Sequence, residues 1–505
     1  MSLRTDTRRP PFERLLIANR GEIAVRVIRA CRELGISPVA VHSDADVGAL
    51  HVRLADASQR IGPPSPAESY LSIEAILDAA RRSGAEAIHP GYGFLSENAD
   101  FARAVTDAGL TFVGPPAETL AALGNKLAAR RGAESAGVPI VPGTTVAVDD
   151  DHAEVSAVGY PLMLKAAAGG GGRGMRRVDT PDSLEEALVA ARREAVSAFG
   201  DGTVYAERLL APARHVEVQL LGDRHGRLAV LGERDCSIQR RHQKLVEETP
   251  SPAVDASTRA ALFDSARRVA GTVDFHNAAT VEFLLDAERQ HYFLEMNTRL
   301  QVEHGVTEMA IGIDIVAWQI RVAAGDELPD DMLEPAPRGH AIEVRLYAED
   351  PYADFQPSAG HLTAWRLPDG PGVRVDAGVE ADTVLRSEYD PLLAKLMVHA
   401  EDRAAAVDRL RRALDETLIG GVQTDAGFLR WLVDRPQFIS GAYDTGFIGE
   451  HWPTGQRLGS EEASLAAAAA IAMRSMEPTS RGASRPTAAE GSAWGRSGRI
   501  EARRG

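Results

Sequence analysis

The chain is poor in cysteine, with only Cys31 and Cys236 in 505 residues. They lie far apart in unlike contexts, which argues against a disulfide framework and suits a reducing compartment. No apolar run is long enough to span a bilayer, and the opening MSLRTDTRRPPFERLLIANR lacks the apolar core of a secretion signal. Positive charge is in deficit: the net charge of −16 argues against a general nucleic-acid-binding surface while leaving room for a local basic pocket. Two phosphate-loop signatures are also missing. The first strand–helix turn, ANRGE, has a single glycine rather than G-x-G-x-x-G, and the one glycine cluster has no following Lys-Ser/Thr. These absences leave a cytoplasmic protein with no membrane and no nucleic-acid role.

What is present is ordinary for a soluble globular chain, at 44% hydrophobic and 25% charged residues, and the length suggests about three domains. Up to Pro116, short apolar runs (RLLIANR, SPVAVHSD, AEAIHPGYG, LTFVGPP) alternate with amphipathic segments (EIAVRVIRACREL, SIEAILDAARRSG, ENADFARAVTDAG). That alternation predicts a doubly wound α/β domain with a parallel sheet. Next, YPLMLKAAAGGGGRGMRRV reads as a β-hairpin with a long glycine-rich tip. From His215 the pattern turns antiparallel, with strands HVEVQLL, RLAVLGE, ATVEFLLD and HYFLEM around the helix STRAALFDSARRVAGTV. GHAIEVRLYAED opens another strand-rich stretch, and the folded part is expected to end near Trp452. Beyond it, SEEASLAAAAAIAM is a capped Ala-rich helix candidate, and the Arg/Ser/Gly/Pro-rich remainder reads as disordered or partner-dependent.

Four constellations carry chemistry. In EMNTRLQVEH, Glu295, Asn297, Arg299, Gln301 and Glu303 occupy alternate positions, so an extended chain would present them as one polar row. Glu282 lies in the preceding strand; if the two strands pair as a hairpin, Glu282 and Glu295 with Asn297 make a hard-oxygen site suited to Mg²⁺ or Mn²⁺. Lys165 ends an apolar strand just before Gly169–Gly172, a combination that suits a lid over nucleotide phosphates. RDCSIQRRHQKLVEE concentrates cations, including His242 and Lys244, in an otherwise acidic chain, a candidate anion site. Spacing alone gives Arg345 no more than a structural ion-pair role.

In the order IANRGEIAVRVIRA, HPGYGFLSEN, FVGP, GNK, KAAAGGGGRGM, RHVEVQ, ERDCSIQRRHQKLVEE, EMNTRLQVEH and GHAIEVRLYAEDP, the chain closely resembles the biotin carboxylases of the ATP-grasp superfamily over residues 13–450. The resemblance implies an N-terminal doubly wound parallel-sheet (pre-ATP-grasp) domain at 1–125. It further implies an ATP-grasp domain at 126–335 with a mobile glycine-rich lid at about 138–208. A mixed β-rich C-terminal biotin carboxylase domain follows at 336–452, then the tail at 453–505.

The implied reaction is carboxylation of biotin by bicarbonate at the expense of ATP, through carboxyphosphate. The resemblance assigns Lys126, Lys165, Gly170, Gly171, Gly172, Glu207, Leu210, His215 and His242 to the nucleotide, and Lys244 to the transferred phosphoryl group. Glu282, Glu295 and Asn297 would hold two Mg²⁺ or Mn²⁺ ions. Arg299, Gln301 and the Val302 backbone would hold bicarbonate, Glu303 would be the general base, and Arg345 would stabilise the enolate of biotin. Gly305 and Arg208 depart from the residues many relatives have there. No Met-Lys-Met biotin acceptor is found, so the biotin carrier and the carboxyltransferase are expected on separate chains, with this chain a homo-oligomer, most simply a dimer. The alternatives are another ATP-grasp carboxylate–amine ligase and a non-catalytic nucleotide-binding subunit.

Overall fold

The first strand, β1 (Arg14–Ile17), is the centre of a five-stranded parallel sheet. It pairs with β2 (Ser37–Ser43) on one side and β4 (Ala87–His89) on the other, with β3 (Ala57–Gly62) and β5 (Thr111–Phe112) at the edges. Sequential strands on both sides of β1 make this the doubly wound arrangement the alternating pattern predicts. Leu15, Leu16 and Ile17 have no solvent exposure because the crossover helices cover both faces. Those helices begin where the sequence supplies caps: Ser72 Oγ accepts from the Ala75 N–H, and Asn98 Oδ1 from the Phe101 N–H. Strand β3, half polar in ASQRIG, is an element the apolar-run reading misses.

The computed structural model describes residues 10–144, 147–148, 153–167 and 174–452, all within a compact unit spanning Met1–Gly455. The glycine-rich tip with Gly170, Gly171 and Gly172, and the Ala-rich segment of the tail, lie outside the described residues. The strands that flank the tip are described. β6 (Leu162–Ala166) and β7 (Arg176–Val178) pair antiparallel, as the hairpin reading predicts, and β8 (Val204–Arg208) completes a three-stranded sheet. The helix Leu184–Phe199 covers that sheet through Leu184, Leu188 and Ala191.

The third sheet carries the candidate site. Its strands are β9 (Arg214–Gly222), β10 (Leu228–Arg240), β11 (Gln243–Thr249), β12 (Asn277–Leu285), β13 (His291–Asn297) and β14 (His340–Tyr347). The order is β13-β12-β9-β10-β11-β14, continued by Leu392–Ala400 and Val373–Ala377. The strand-rich C-terminal stretch therefore extends the same sheet: β14 pairs with β11 from Val246↔Val344 to Thr249↔Ala341. β10 and β11 meet in a two-residue turn, Arg241 and His242, both with positive φ (48° and 65°). Such turns match the twist of paired strands. No helix among the described residues is long and apolar enough to cross a membrane.

The first crossover helix and the C-terminal strands meet where Gly378, just past Val373–Ala377, packs on the start of the helix Gly21–Glu33. A Cβ at Gly378 would stand 2.5 Å from the Glu22 backbone nitrogen and 2.8 Å from the Gly21 carbonyl carbon. Both are backbone atoms and cannot swing aside. Gly378→Ala is therefore expected to cost about 1–3 kcal/mol, the usual range for forced overpacking. Urea denaturation followed by circular dichroism checks this, and an unchanged midpoint would contradict it.

Candidate active site

Register brings three acids together. Glu282 on β12 lies opposite Glu295 on β13 and opposite Glu217 on β9, and residues directly paired across a sheet share a face. The hairpin predicted from sequence is thus present, with its two acids side by side. Glu217 is the third, and it was not singled out from sequence. Its signal is faint: His215, Glu217 and Gln219 alternate along HVEVQ, but a single acid in a strand has many uses.

Glu295 is half-buried, but Glu217 and Glu282 are buried and meet a third buried acid, Glu303, and such a group repels unless a cation joins it. Lys244, on β11, supplies it: Nζ lies 2.6 Å from Glu217, 2.9 Å from Glu282 and 2.7 Å from Glu303. Burial alone would lower the Lys244 pKa, but the Cys236 thiol and these three acids raise it well above the usual range. Arg234, with no exposure, is the second cation on Glu217. Arg345 Nη2 reaches the other oxygen of Glu303 at 2.9 Å, while its Nε donates to Glu247 at 2.7 Å. Burial would raise the Glu303 pKa, yet Lys244, Arg345 and Arg234 hold it well below the carboxylate range. For Glu247 burial wins over Arg345, and its pKa is pushed up to about 7. Glu247 is another residue that sequence reasoning passed over.

The polar row of EMNTRLQVEH is not one strand. β13 ends at Asn297, and residues 298–303 form a loop that turns into the helix His304–Ile311. The residues stay in contact all the same. Asn297 Nδ2 lies 2.9 Å from Glu282 Oε1 and 3.5 Å from Glu295 Oε1. Gln301 donates to Glu282 at 3.3 Å and accepts from Arg299 at 3.0 Å. Arg299 forms its ion pair with Glu97 at 3.0 Å, an acid from HPGYGFLSEN in the first domain. Gly305 has a local reason: a Cβ there would overlap Met397 Sδ.

Glu282, Glu295 and Asn297 offer clustered hard-oxygen donors, a set that fits Mg²⁺ or Mn²⁺. His215 Nε2 adds a contact 2.8 Å from Glu282 Oε2. Lys126 stands 2.6 Å from Glu295, and the attraction outweighs burial to lower the Glu295 pKa.

A second group of cations faces this cluster. Lys165 on β6 and Arg130 both pair with Glu207 on β8, the latter at 2.7 Å, so the buried Lys165 ammonium has its anionic partner in Glu207. Leu210 is half-buried just after β8, and Arg208 uses its backbone N–H on the Pro142 carbonyl at 2.8 Å. The Lys126 N–H donates to the Ala167 carbonyl at 2.9 Å, tying its helix to the strand before the glycine-rich tip. Partial burial, then the positive charges of Lys165, His215 and Lys126, lower the pKa of His242 at the β10–β11 turn. Four expected nucleotide ligands from four segments thus converge.

Residues 11–120 match the family described as "Biotin carboxylase, N-terminal domain", 125–331 "Carbamoyl-phosphate synthase L chain, ATP binding domain", and 343–450 "Biotin carboxylase C-terminal domain". A biotin carboxylase from Halalkalibacterium halodurans is 48% identical over 443 residues, 87% of this chain and 98% of that one. The propionyl-CoA carboxylase alpha chain of Ruegeria pomeroyi is 46% identical over 467 residues, 88% of this chain and 69% of that one. Among solved structures, the biotin carboxylase–βγ-ATP complex from Campylobacter jejuni superposes with a TM-score of 0.85 at 44% identity, covering 87% of this chain and 99% of that one. The biotin carboxylase domain dimer of the Hydrogenobacter thermophilus 2-oxoglutarate carboxylase, in complex with MgADP, ADP and bicarbonate, gives 0.86 at 42% identity, covering 89% and 99%.

Removing the shared cation tests the charge cluster. Lys244→Met leaves Glu217, Glu282 and Glu303 under-compensated and is expected to cost about 3–5 kcal/mol at neutral pH, as for other broken buried ion pairs. Without Lys244 the folded-state carboxylate pKa values rise, so the penalty is full above those raised values and shrinks as pH falls through them toward the unfolded value. Denaturation at pH 7 and pH 5 reads this; a deficit that is constant or grows on acidification would contradict it.

Proposed function

The chain belongs to the biotin carboxylase family, and from that premise we propose how its residues divide the work of an ATP- and bicarbonate-dependent carboxylation of biotin. The observation that carries the assignment is the Glu303 carboxylate, buried and held ionised between Lys244 and Arg345 beside the Arg299–Gln301 loop.

Bicarbonate oxygen attacks the γ-phosphorus of ATP, the bond to the β–γ bridging oxygen breaks, and ADP and carboxyphosphate result. Glu303 takes the bicarbonate proton. At rest it is a weak base because two cations hold it; once the γ-phosphate draws Lys244 away from Glu303, its basicity rises toward what the transfer needs. Arg299, with Gln301 and the Val302 backbone, clamps the planar anion. Lys126, Lys165, His215, His242, Glu207 and Leu210 form the nucleotide side, to which Gly170, Gly171 and Gly172 are also assigned. Glu282, Glu295 and Asn297 are the residues that would hold two divalent ions, which when bound offset the charge that develops as the phosphoryl group moves. Carboxyphosphate then breaks its C–O bond to phosphate and CO₂. The phosphate just released takes the proton from the ureido N1′, Arg345 stabilises the oxyanion of the resulting biotin enolate, and N1′ forms the new N–C bond to CO₂.

We further propose that the carboxylated biotin sits on a carrier protein and passes to a carboxyltransferase, in a cytoplasmic acetyl- or propionyl-CoA carboxylase. The likeness to the propionyl-CoA carboxylase alpha chain supports an acyl-CoA acceptor. The dimeric solved relative supports a homodimer.

ADP release from MgATP, with and without bicarbonate and free biotin, tests the reading. Bicarbonate-dependent, biotin-stimulated release is expected; turnover indifferent to bicarbonate would move the chain to another ATP-grasp chemistry. In Glu303→Gln, bicarbonate-dependent release is expected to fall by about 100-fold or more with nucleotide binding retained, in line with loss of a general base. Full activity in that variant would remove Glu303 from the role.

A further inference from the structure

Lys395 stands outside every group named so far. It lies on the strand Leu392–Ala400 directly opposite Arg345 on β14, so the two side chains leave the same face of the sheet. Lys395 is fully buried. Its Nζ lies 3.3 Å from Glu22 Oε2 and 4.0 Å from Asp376 Oδ2, and it donates to the Val302 carbonyl oxygen at 2.7 Å. Both acids are held in turn. The Tyr92 hydroxyl donates to Glu22, and Arg374 pairs with Asp376 at 2.7 Å.

A buried ammonium needs anionic partners, and Glu22 and Asp376 supply them. Its shortest contact, however, is with neither acid but with a peptide carbonyl. That carbonyl belongs to the peptide joining Val302 to Glu303, so its direction sets the Glu303 N–H and Cα and the point from which the carboxylate side chain departs. Arg345 therefore grips the far end of Glu303, while its cross-strand neighbour grips the near end. Glu22 opens the helix Gly21–Glu33, Asp376 lies on Val373–Ala377, and Lys395 joins both elements to the loop.

We propose that Lys395 is a positioning residue for the bicarbonate loop, acting through the Val302–Glu303 peptide to fix Glu303 and Gln301 against Arg299. The inference rests on the functional reading above and extends it to a residue that touches no substrate. Small misplacements at such a loop cost rate steeply. Lys395→Met is expected to lower kcat/KM for bicarbonate by about 10- to 100-fold while the KM for ATP stays within about twofold.

The variant leaves Glu22 without its cation while Asp376 keeps Arg374, so the double variant Lys395→Met/Glu22→Gln is measured alongside it, with rates normalised to nucleotide-binding sites. A bicarbonate defect that persists in the double variant after stability recovers supports positioning. Wild-type kcat and bicarbonate KM in either variant, or kinetics that recover together with stability, would reduce Lys395 to a structural ion and overturn the proposal. Wild-type protein assayed in parallel separates the two levels: without bicarbonate-dependent turnover there, the functional reading fails and takes this inference with it.

Discussion

The Lys244 ammonium, enclosed by Glu217, Glu282 and Glu303, is the interaction on which the rest of the site depends. Three carboxylates from two strands and a loop can be buried together only around such a charge, and the cluster is stable only while it is complete. The same lysine links the two jobs of the site. It touches Glu282, on the proposed metal-binding side, and Glu303, the proposed base. Any negative charge brought in beside it competes with both acids at once. In the proposed mechanism, a phosphoryl group arriving at Lys244 therefore loosens the grip on Glu303 at the moment a base is required.

The architecture that makes this possible is one continuous sheet. β12 and β13 bring Glu282 and Glu295; β9 brings His215 and Glu217; β11 brings Lys244 and Glu247; β14 brings Arg345. Sheet registers fix these side chains, and the loop after β13 supplies Arg299, Gln301 and Glu303. The first domain contributes Glu97, which holds Arg299, and Glu22, which meets Lys395. Each basic group at the reacting end is thus fastened by an acid from a different part of the chain.

Much of this was legible in the sequence. The parallel domain followed from alternating apolar runs and amphipathic segments, and the Glu282–Glu295 pair from two apolar strands separated by a short polar turn. Arg345, by contrast, carried no local signal; only the resemblance of its whole segment promoted it, and the structure then put it on Glu303. Glu217, Glu247 and Lys395 were not legible because each is a lone charged residue in a strand, and its partner lies on another strand far along the chain. The row from Glu295 to Glu303 was read as extended because alternation is a strand's signature. Pairing nevertheless stops at Asn297, since β13 is the edge strand of its sheet and the next residues turn toward the helix His304–Ile311. β3 was missed for the opposite reason: an edge strand with exposed polar residues lacks the apolar run of its neighbours.

The central claim is that bicarbonate, activated by Glu303, attacks the γ-phosphorus itself. The most direct measurement is turnover in ¹⁸O-labelled bicarbonate with MgATP and biotin, followed by mass analysis of the phosphate. Attack by bicarbonate and cleavage of carboxyphosphate at its C–O bond predict one bicarbonate oxygen in each phosphate released. Phosphate carrying only ATP and solvent oxygens would mean that water, not bicarbonate, is the nucleophile, and would contradict the account.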